Sequence, residues 1–291
     1  MPATTPPPPS LREWTHVARD GTALQVRAWD PPEGALGGAA KATILLTHGM
    51  GEHSGRYNHV AGRLTAAGLR VITWDLRGHG RSQGVRGDIR HYDLLVDDLQ
   101  ELWTLTAAEG GPVFLYGHSL GAQITLNFAV RHRPPAAGLV ITSPWFRLAF
   151  APSRWKVSLA WVAARLWPSF TQETDVMPAR LSRDLDFLMA MPDMHLIHHR
   201  MSARMYHALI TGAHRAAREA VALPYPMLLI HGEDDPVTSV DATKEFFHAL
   251  RSRDKSLVII PNALHETHND LCRREVLDRI TAWLEERLPV S

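Results

Sequence analysis

A serine with a glycine two residues before it and another two residues after it is the first feature that could carry out chemistry. Residues 117–121 read Gly-His-Ser-Leu-Gly, after an apolar run at 113–116 and at the start of a helical pattern at 120–131. A serine hydroxyl is a weak nucleophile, so it must be presented at a sharp strand-to-helix turn within reach of a base. Glycines on both sides let strand and helix approach closely. A tight turn with a capping serine is the simpler alternative, but this context favours Ser119 as a nucleophile.

An acid is expected after a later strand, because on this kind of scaffold the order along the chain is serine, acid, histidine. The apolar run at 227–230 is followed by His-Gly-Glu-Asp-Asp-Pro at 231–236. Glu233, Asp234 and Asp235 compete for the role. We assign it to Asp235, because Pro236 fixes the turn directly behind it.

The general base is expected in the loop after the last strand, which the apolar run at 257–260 predicts. Pro-Asn-Ala-Leu-His follows, and topology places this loop beside the serine. His265 is therefore the predicted base, and His268, three residues later, is its rival. The metalloprotease motif needs two histidines four residues apart on one helix, so the spacing of this pair does not fit it.

Two backbone N–H groups are expected to stabilise an oxyanion. The loop after the apolar run at 43–47 reads His-Gly-Met-Gly-Glu-His at 48–53. Glycines on either side of Met50 let the backbone turn an N–H toward the serine. The N–H of Leu120, at the start of the helix after Ser119, is the second predicted donor.

The elements that must position these residues alternate along the chain. Continuous apolar strands that alternate with helices indicate a parallel sheet covered on both faces, and Asp20-Gly21 indicates an antiparallel hairpin at one edge. We therefore predict an α/β fold with about eight mostly parallel strands. The predicted strands lie at 14–19, 24–29, 43–47, 69–74, 113–116, 139–142, 227–230 and 257–260, and the predicted helices at 57–67, 92–108, 120–131, 242–251 and 271–288.

One stretch breaks this alternation. Residues 147–222 read as helices with no strand between them, which predicts a helical cap or lid inserted between two parts of the core, 11–146 and 223–291. Within it a helical seam either packs on the core or leaves a face that touches lipid. The seam comprises Trp155, Leu159, Val162 and Leu166, and the remaining apolar side Val157 and Trp161. Residues 1–10 are expected to be a disordered proline-rich leader.

Composition excludes several classes of protein. The chain has 45% hydrophobic and 21% charged residues and a formal net charge of +1 with no basic stripe, so we expect no nucleic-acid partner. It has one cysteine, Cys272, and neither a signal-peptide pattern nor an apolar run of the ~20 residues that span a bilayer. We expect a cytoplasmic protein with no metal, although there are 17 histidines, among them His195, His198 and His199 on one expected helical face.

These motifs resemble a known family. Residues 48–57, 74–82, 117–121, 232–235 and 264–266 together look like the monoacylglycerol lipase and lysophospholipase group of α/β-hydrolases, within the serine aminopeptidase-like family. The resemblance implies the α/β-hydrolase fold, no cofactor, and hydrolysis of a lipid ester through an acyl-enzyme, with transient membrane contact through the cap. It also makes Asp75, Arg77 and His79 part of the pattern, and we interpret these as residues that fix a loop.

Several alternatives stay open at this point. The substrate could be a lysophospholipid, a small carboxylic ester or a peptide-like amide. A cationic head group or amine would need a matching charge, for which Asp184, Asp186 and Asp193 in the cap are candidates. In a different class, the chain could be a non-catalytic hydrolase scaffold that binds a small ligand. A broken triad would favour that reading, and all three candidates are present.

Overall fold

The computed structural model describes residues 10–32, 40–150, 167, 169–174 and 177–288 of the chain. They contain an eight-stranded sheet and a separate two-stranded one. The strands in chain order are β1 (Ser10–Val17), β2 (Ala23–Asp30), β3 (Thr43–Thr47), β4 (Arg70–Trp74), β5 (Val113–His118), β6 (Gly138–Thr142), β7 (Thr171–Glu173), β8 (Arg200–Ser202), β9 (Met227–Gly232) and β10 (Lys255–Ile260).

The large sheet has the order β1-β2-β4-β3-β5-β6-β9-β10. β2 pairs antiparallel with both β1 and β4, and every other pairing in this sheet is parallel. The predicted mostly parallel sheet with an antiparallel hairpin at one edge is confirmed. Since the carboxyl ends of parallel strands meet at one edge, the loops after β3, β5, β9 and β10 come together there.

Helices cover both faces of the sheet. In the part of the chain that the structure describes, the α-helices are α1 (Asn58–Ala66), α2 (Asp93–Ala108), α3 (Leu120–His132), α4 (Leu185–Met189), α5 (Ala203–Glu219), α6 (Val240–Ala249) and α7 (Arg273–Glu285). A short 3₁₀ turn, Ser54–Tyr57, precedes α1.

The pleat of β3 shows why the chain builds two cores. Ile44 and Leu46 point to the face covered by α1 and α7, whereas Leu45 points to the face covered by α2 and α3. All five β3 residues are buried, as expected for a strand covered on both sides. Because successive side chains of a strand point to opposite faces of the sheet, this one strand contributes side chains to two hydrophobic clusters.

The stretch predicted to be purely helical contains two strands, so that prediction was wrong. β7 and β8 pair antiparallel, with Thr171 opposite Ser202 and Glu173 opposite Arg200. Both strands have three residues, too short for a periodic sequence signal. The seam residues Trp155, Leu159, Val162 and Leu166, with Val157 and Trp161, lie outside the described residues, as do residues 1–9 of the predicted leader. Ser10, the last residue of the predicted leader, instead begins β1 and pairs with Asp30, which corrects the boundary predicted for the leader.

Main-chain hydrogen bonds fasten the second half of this stretch to the core. The His198 N–H donates to the Gly51 carbonyl at 2.9 Å, and the Ser202 N–H donates to the Gly87 carbonyl at 2.6 Å. Asp88 accepts hydrogen bonds from Ser202 and Arg204. Residues 198–204 are therefore held against the core loops that contain Gly51, Gly87 and Asp88. Among the described residues no helix is long and apolar enough to cross a membrane.

Candidate active site

Ser119 lies on a strained turn between β5 and α3. Its backbone has φ +53° and ψ −113°, a conformation that costs about 1–3 kcal/mol for a residue with a Cβ. A side chain at Gly121 would overlap the carbonyl oxygen of Thr47, and one at Gly117 would lie 2.6 Å from the Ala122 Cα. The two glycines thus let α3 pack against the ends of β3 and β5, and the turn projects the serine side chain.

The structure brings Ser119, His265 and Asp235 together. His265 Nε2 lies 2.9 Å from Ser119 Oγ, and His265 Nδ1 lies 2.7 Å from Asp235 Oδ2. The three residues are 4–7% exposed, so the hydrogen bonds are shielded from water. Because an ionised carboxylate only accepts, His265 donates from Nδ1, and its Nε2 is left to accept the serine proton.

The loop after β9 explains why Asp235 and not its neighbours faces the histidine. Asp235 Oδ1 accepts the N–H groups of Val237 and Thr238 at 2.8 and 3.0 Å, which folds the carboxylate back over the turn. Glu233 and Asp234 point outward and are exposed. The Asp234 carboxylate pairs at the surface with Arg183 at 2.7 Å.

His268, the rival base, does not reach the serine. Its ring is completely buried, stacked on Tyr57 with centroids 5.0 Å apart, and 4.6 Å from the ring of His118. It lies in the loop before α7, which begins only at Arg273. Burial lowers the pKa of His268 well below 6.5 and keeps the ring neutral.

Opposite effects act on the two titratable members of the triad. Burial lowers the pKa of His265, but the charge of Asp235 and its hydrogen bond outweigh that effect, so the pKa lies above 6.5. Burial raises the pKa of Asp235, but His265 and His231 hold it well below 3.8. Asp235 is therefore ionised, and His265 is a stronger base than a free imidazole.

The predicted oxyanion donors border the serine. Leu120 is the first residue of α3, so its N–H has no acceptor within the helix. A side chain at Gly49, the residue before Met50, would lie 3.2 Å from the Ser119 Cβ, which places this loop against Ser119. Gly51 has φ +78°, a turn that glycine adopts without strain. The Met50 side chain is half-buried against the core.

A buried ion cluster, which the sequence reasoning missed, joins the oxyanion loop to the histidine loop. Arg56 donates to both oxygens of Glu266 at 2.7 Å and to Glu52 at 2.8 Å, and all three side chains are 4–5% exposed. Glu52 in turn accepts the N–H of Gly49 at 2.6 Å and the hydroxyl of Tyr57 at 2.8 Å. Glu52 and Arg56, charged residues inside the glycine-rich motif at 48–57, were the signal that could have revealed the cluster.

The residues expected to fix a loop do so. Asp75 accepts the N–H groups of Ser54 and Arg81, each at 2.7 Å, and Arg77 forms a two-pronged pair with Asp98 at 2.5 and 2.7 Å. The His79 ring is buried, with its centroid 5.5 Å from that of His48, and takes no part in the triad.

Two of the three cap aspartates considered for a cationic group are already paired. Asp184 accepts from Arg273 at 2.6 Å and caps α4, and Asp193 accepts from Arg81 at 3.0 Å. Their charges are thus neutralised by arginines of the core. His195, His198 and His199 do not share a helical face, because His195 lies in a 3₁₀ turn, Met194–Leu196, that ends before the other two.

A family model matches most of the chain. The family described as serine aminopeptidase, S33 matches residues 38–272. This range contains the serine, the acid and the histidine.

Individual relatives agree with this match. The monoacylglycerol lipase of Mycolicibacterium smegmatis is 31% identical over 92% of this chain and 95% of its own length. The solved structure of a Paleococcus ferrophilus monoacylglycerol lipase is 28% identical, covers 91% of this chain and 99% of that one, and has a TM-score of 0.80. An abhydrolase domain-containing protein of Dictyostelium discoideum is 33% identical over 94% of this chain, which spans 29% of that longer protein.

Proposed function

The chain belongs to the serine aminopeptidase S33 family of α/β-hydrolases, and from this membership we propose that it is a serine hydrolase that cleaves monoacylglycerols into a fatty acid and glycerol. The observation that carries the proposal is the hydrogen-bonded series of Ser119, His265 and Asp235, with distances of 2.9 and 2.7 Å. The resemblance stated from the motifs is confirmed at the level of the family.

The proposed reaction begins at the serine. His265 Nε2 accepts the proton of Ser119 Oγ as that oxygen attacks the ester carbonyl. The N–H groups of Met50 and Leu120 stabilise the oxyanion, a contribution of about 3 kcal/mol for each donor. The C–O bond to glycerol then breaks, and His265 returns the proton to the leaving oxygen.

Hydrolysis of the acyl-enzyme repeats the sequence with water. His265 removes a proton from the attacking water, the tetrahedral intermediate collapses, and Ser119 recovers its proton as the fatty acid leaves. Asp235 stays ionised throughout and stabilises the imidazolium form of His265 in both halves of the reaction.

The choice of substrate is supported by the relatives and by charge. The Mycolicibacterium and Paleococcus proteins carry the name monoacylglycerol lipase. Asp184 and Asp193 are paired with arginines, so of the three candidate carboxylates in the cap the exposed Asp186 is the one left for a choline head group or an N-terminal amine. A neutral glycerol ester fits these observations better than a lysophospholipid or an aminoacyl amide.

A hydrolysis panel tests the proposal. Purified protein is assayed on a 1-monoacylglycerol, a lysophospholipid, p-nitrophenyl esters of short and long acids, and an aminoacyl amide. We expect the highest kcat/KM on the monoacylglycerol. Cleavage of only short esters, or only of the amide, would leave the triad in place and overturn the substrate.

Ser119→Ala separates the mechanism from the substrate. We expect kcat to fall by a factor on the order of 10⁵ to 10⁶, as loss of a nucleophile does in other serine hydrolases. Ser252→Ala, in the loop before β10, is the matched control and should keep full activity. An active Ser119→Ala protein would contradict the proposed mechanism.

We further propose that the cap side of the protein touches lipid while it acts. Trp167, Phe170, Met177 and Met189 are 59–70% exposed. Aromatic side chains lower their free energy at a membrane–water interface, where part of the ring is buried and part is hydrated. Co-sedimentation with phosphatidylcholine vesicles tests this. A Trp167→Ser/Phe170→Ser variant should bind vesicles less and keep its activity on a short soluble ester.

A further inference from the structure

His231 lies behind the carboxylate of Asp235, near the end of β9, and is completely buried. Its Nε2 is 3.0 Å from Asp235 Oδ2, the same oxygen that lies 2.7 Å from His265 Nδ1. Two imidazole rings therefore share one carboxylate oxygen. The reaction described above uses only one of them.

The tautomer of His231 follows from its neighbours. Asp235 is ionised and can only accept, so His231 donates from Nε2. Thr243 Oγ1 on α6 lies 2.8 Å from the Nδ1 of the same ring, within hydrogen-bond distance. A continuous series of hydrogen bonds thus runs from Thr243 through His231, Asp235 and His265 to Ser119.

We propose that His231 is a positioning residue that shares the charge of Asp235 with His265 and so sets the pH at which His265 becomes a base. This inference rests on the proposed function, because it concerns the same site. His231 does not touch the reacting atoms and acts only through Asp235.

The direction of the effect follows from the number of donors on one carboxylate. Asp235 Oδ2 accepts from His265, His231 and the hydroxyl of Thr238, the last at 2.7 Å. Each donor withdraws negative charge from the carboxylate. Without the His231 N–H, more charge is left to stabilise the protonated form of His265. His265 should then hold its proton to a higher pH.

The position of the carboxylate does not depend on His231 alone. Oδ1 is held by the N–H groups of Val237 and Thr238 at 2.8 and 3.0 Å. Loss of the His231 donor should therefore leave Asp235 in place and shift the pH profile. A merely structural role would instead lower the activity at every pH.

Other charged or titratable groups near His265 are the same in every variant compared. The ring of His118 at the end of β5 lies 5.0 Å from that of His265, and burial lowers the pKa of His118 to about 3, so it stays neutral. The remaining groups are Glu52 and Arg56 after β3 and Glu266 and His268 in the loop of His265 itself.

The experiment compares His231→Leu, which removes the donor, with His231→Gln, whose side-chain amide can still donate to Asp235. His132→Leu is the matched control, because His132 ends α3, roughly 18 Å along the helix from Leu120. Two quantities are measured in each protein. They are the pH dependence of kcat/KM and the titration of the His265 ring nitrogens by NMR of ¹⁵N-histidine-labelled protein.

We expect His231→Leu to move the acid limb of kcat/KM and the His265 titration to higher pH by about half a unit to one unit. His231→Gln and His132→Leu should give the same pH profile of kcat/KM and the same His265 titration as the unchanged protein. Coincident profiles for His231→Leu and the unchanged protein would overturn the inference, as would an equal loss of activity at every pH. If His231→Leu does not fold, Thr243→Val, which removes only the partner of Nδ1, should give a smaller shift in the same direction, and no shift there overturns the inference.

The NMR titration also separates this inference from the proposed function, since it needs no substrate. A shift of the His265 titration in a protein that cleaves no ester would support the coupling and refute the function. An active protein whose titration and acid limb do not move would refute only the coupling.

Discussion

Arg56 and Glu266 face each other with two parallel hydrogen bonds, one from each terminal nitrogen of the guanidinium, both 2.7 Å long. Glu266 follows His265 directly, and Arg56 follows the oxyanion loop. The same Arg56 Nη1 also donates to Glu52 at 2.8 Å. One buried cation thus joins two loops that are 210 residues apart in the chain and must meet at the serine.

Arg56→Met is expected to destabilise the protein by about 3–5 kcal/mol, because it leaves two buried carboxylates without their cation. The free energy of unfolding from urea titration checks this. Arg56→Lys keeps the charge but loses the paired geometry, so an intermediate value is expected. If Arg56→Met is as stable as the unchanged protein, the cluster does not hold the loops together.

Asp235→Asn should lower kcat by roughly 10⁴, because an amide does not stabilise the imidazolium of His265. Asp234→Asn is the matched control, since Asp234 is exposed and its carboxylate pairs with Arg183 at the surface. We expect it to keep nearly full activity. Steady-state rates on one ester compare the two variants, and a reversed order would move the acid of the triad to Asp234.

Buried neutral histidines should make the protein sensitive to acid before its carboxylates titrate. Burial is the main cause that lowers the pKa of His53 to about 4, of His118 to about 3 and of His198 to about 4. As the pH falls below 6.5, these histidines therefore bind protons in the unfolded chain but stay neutral in the folded chain. The part of the free energy of unfolding that these histidines contribute is fully present above pH 6.5. It is lost as the pH falls toward 4, by about 1.4 kcal/mol per pH unit for each such residue.

The raised pKa of His265 and that of Asp98, which burial raises to about 6, act in the opposite direction. These are two groups against the three histidines above together with His79 and His268, whose pKa values burial also lowers well below 6.5. Urea unfolding at several pH values between 7.5 and 4.5 measures the slope. His198→Asn should reduce that slope by about one proton, because it removes one of these histidines and keeps the main-chain hydrogen bond from residue 198 to Gly51. A slope of zero across this interval would contradict the account.

Gly121→Ala is expected to abolish activity and lower stability, because its Cβ would overlap the carbonyl oxygen of Thr47 and lie 2.5 Å from that of His48. The helix that carries Leu120 would have to move away from the oxyanion loop. Gly62→Ala is the matched control. Its Cβ would meet nothing within 4 Å on α1, so a gain of up to about 1 kcal/mol is expected. Thermal unfolding and kcat of both variants check the pair.

The local pattern of apolar and turn-forming residues in the sequence determined the fold and its motifs. The apolar run at 43–47 predicted β3 with its observed bounds, because a strand buried on both faces needs continuous apolar residues. The helix after the serine was predicted at 120–131 and ends at His132. The candidate residues Ser119 and His265 followed from turn chemistry and from the position of their loops in the chain.

Tertiary structure alone decided which charges meet. In the sequence only the neighbouring Pro236 separated Asp235 from Asp234. The folded turn after β9 is what aims the buried Asp235 inward and the exposed Asp234 outward. The pairing of Arg56 with Glu266 and of His231 with Asp235 depends on contacts between elements, which hydrophobic periodicity does not encode. The strands β7 and β8 escaped prediction for the same reason, since three-residue strands are stabilised by their partner and not by their own sequence.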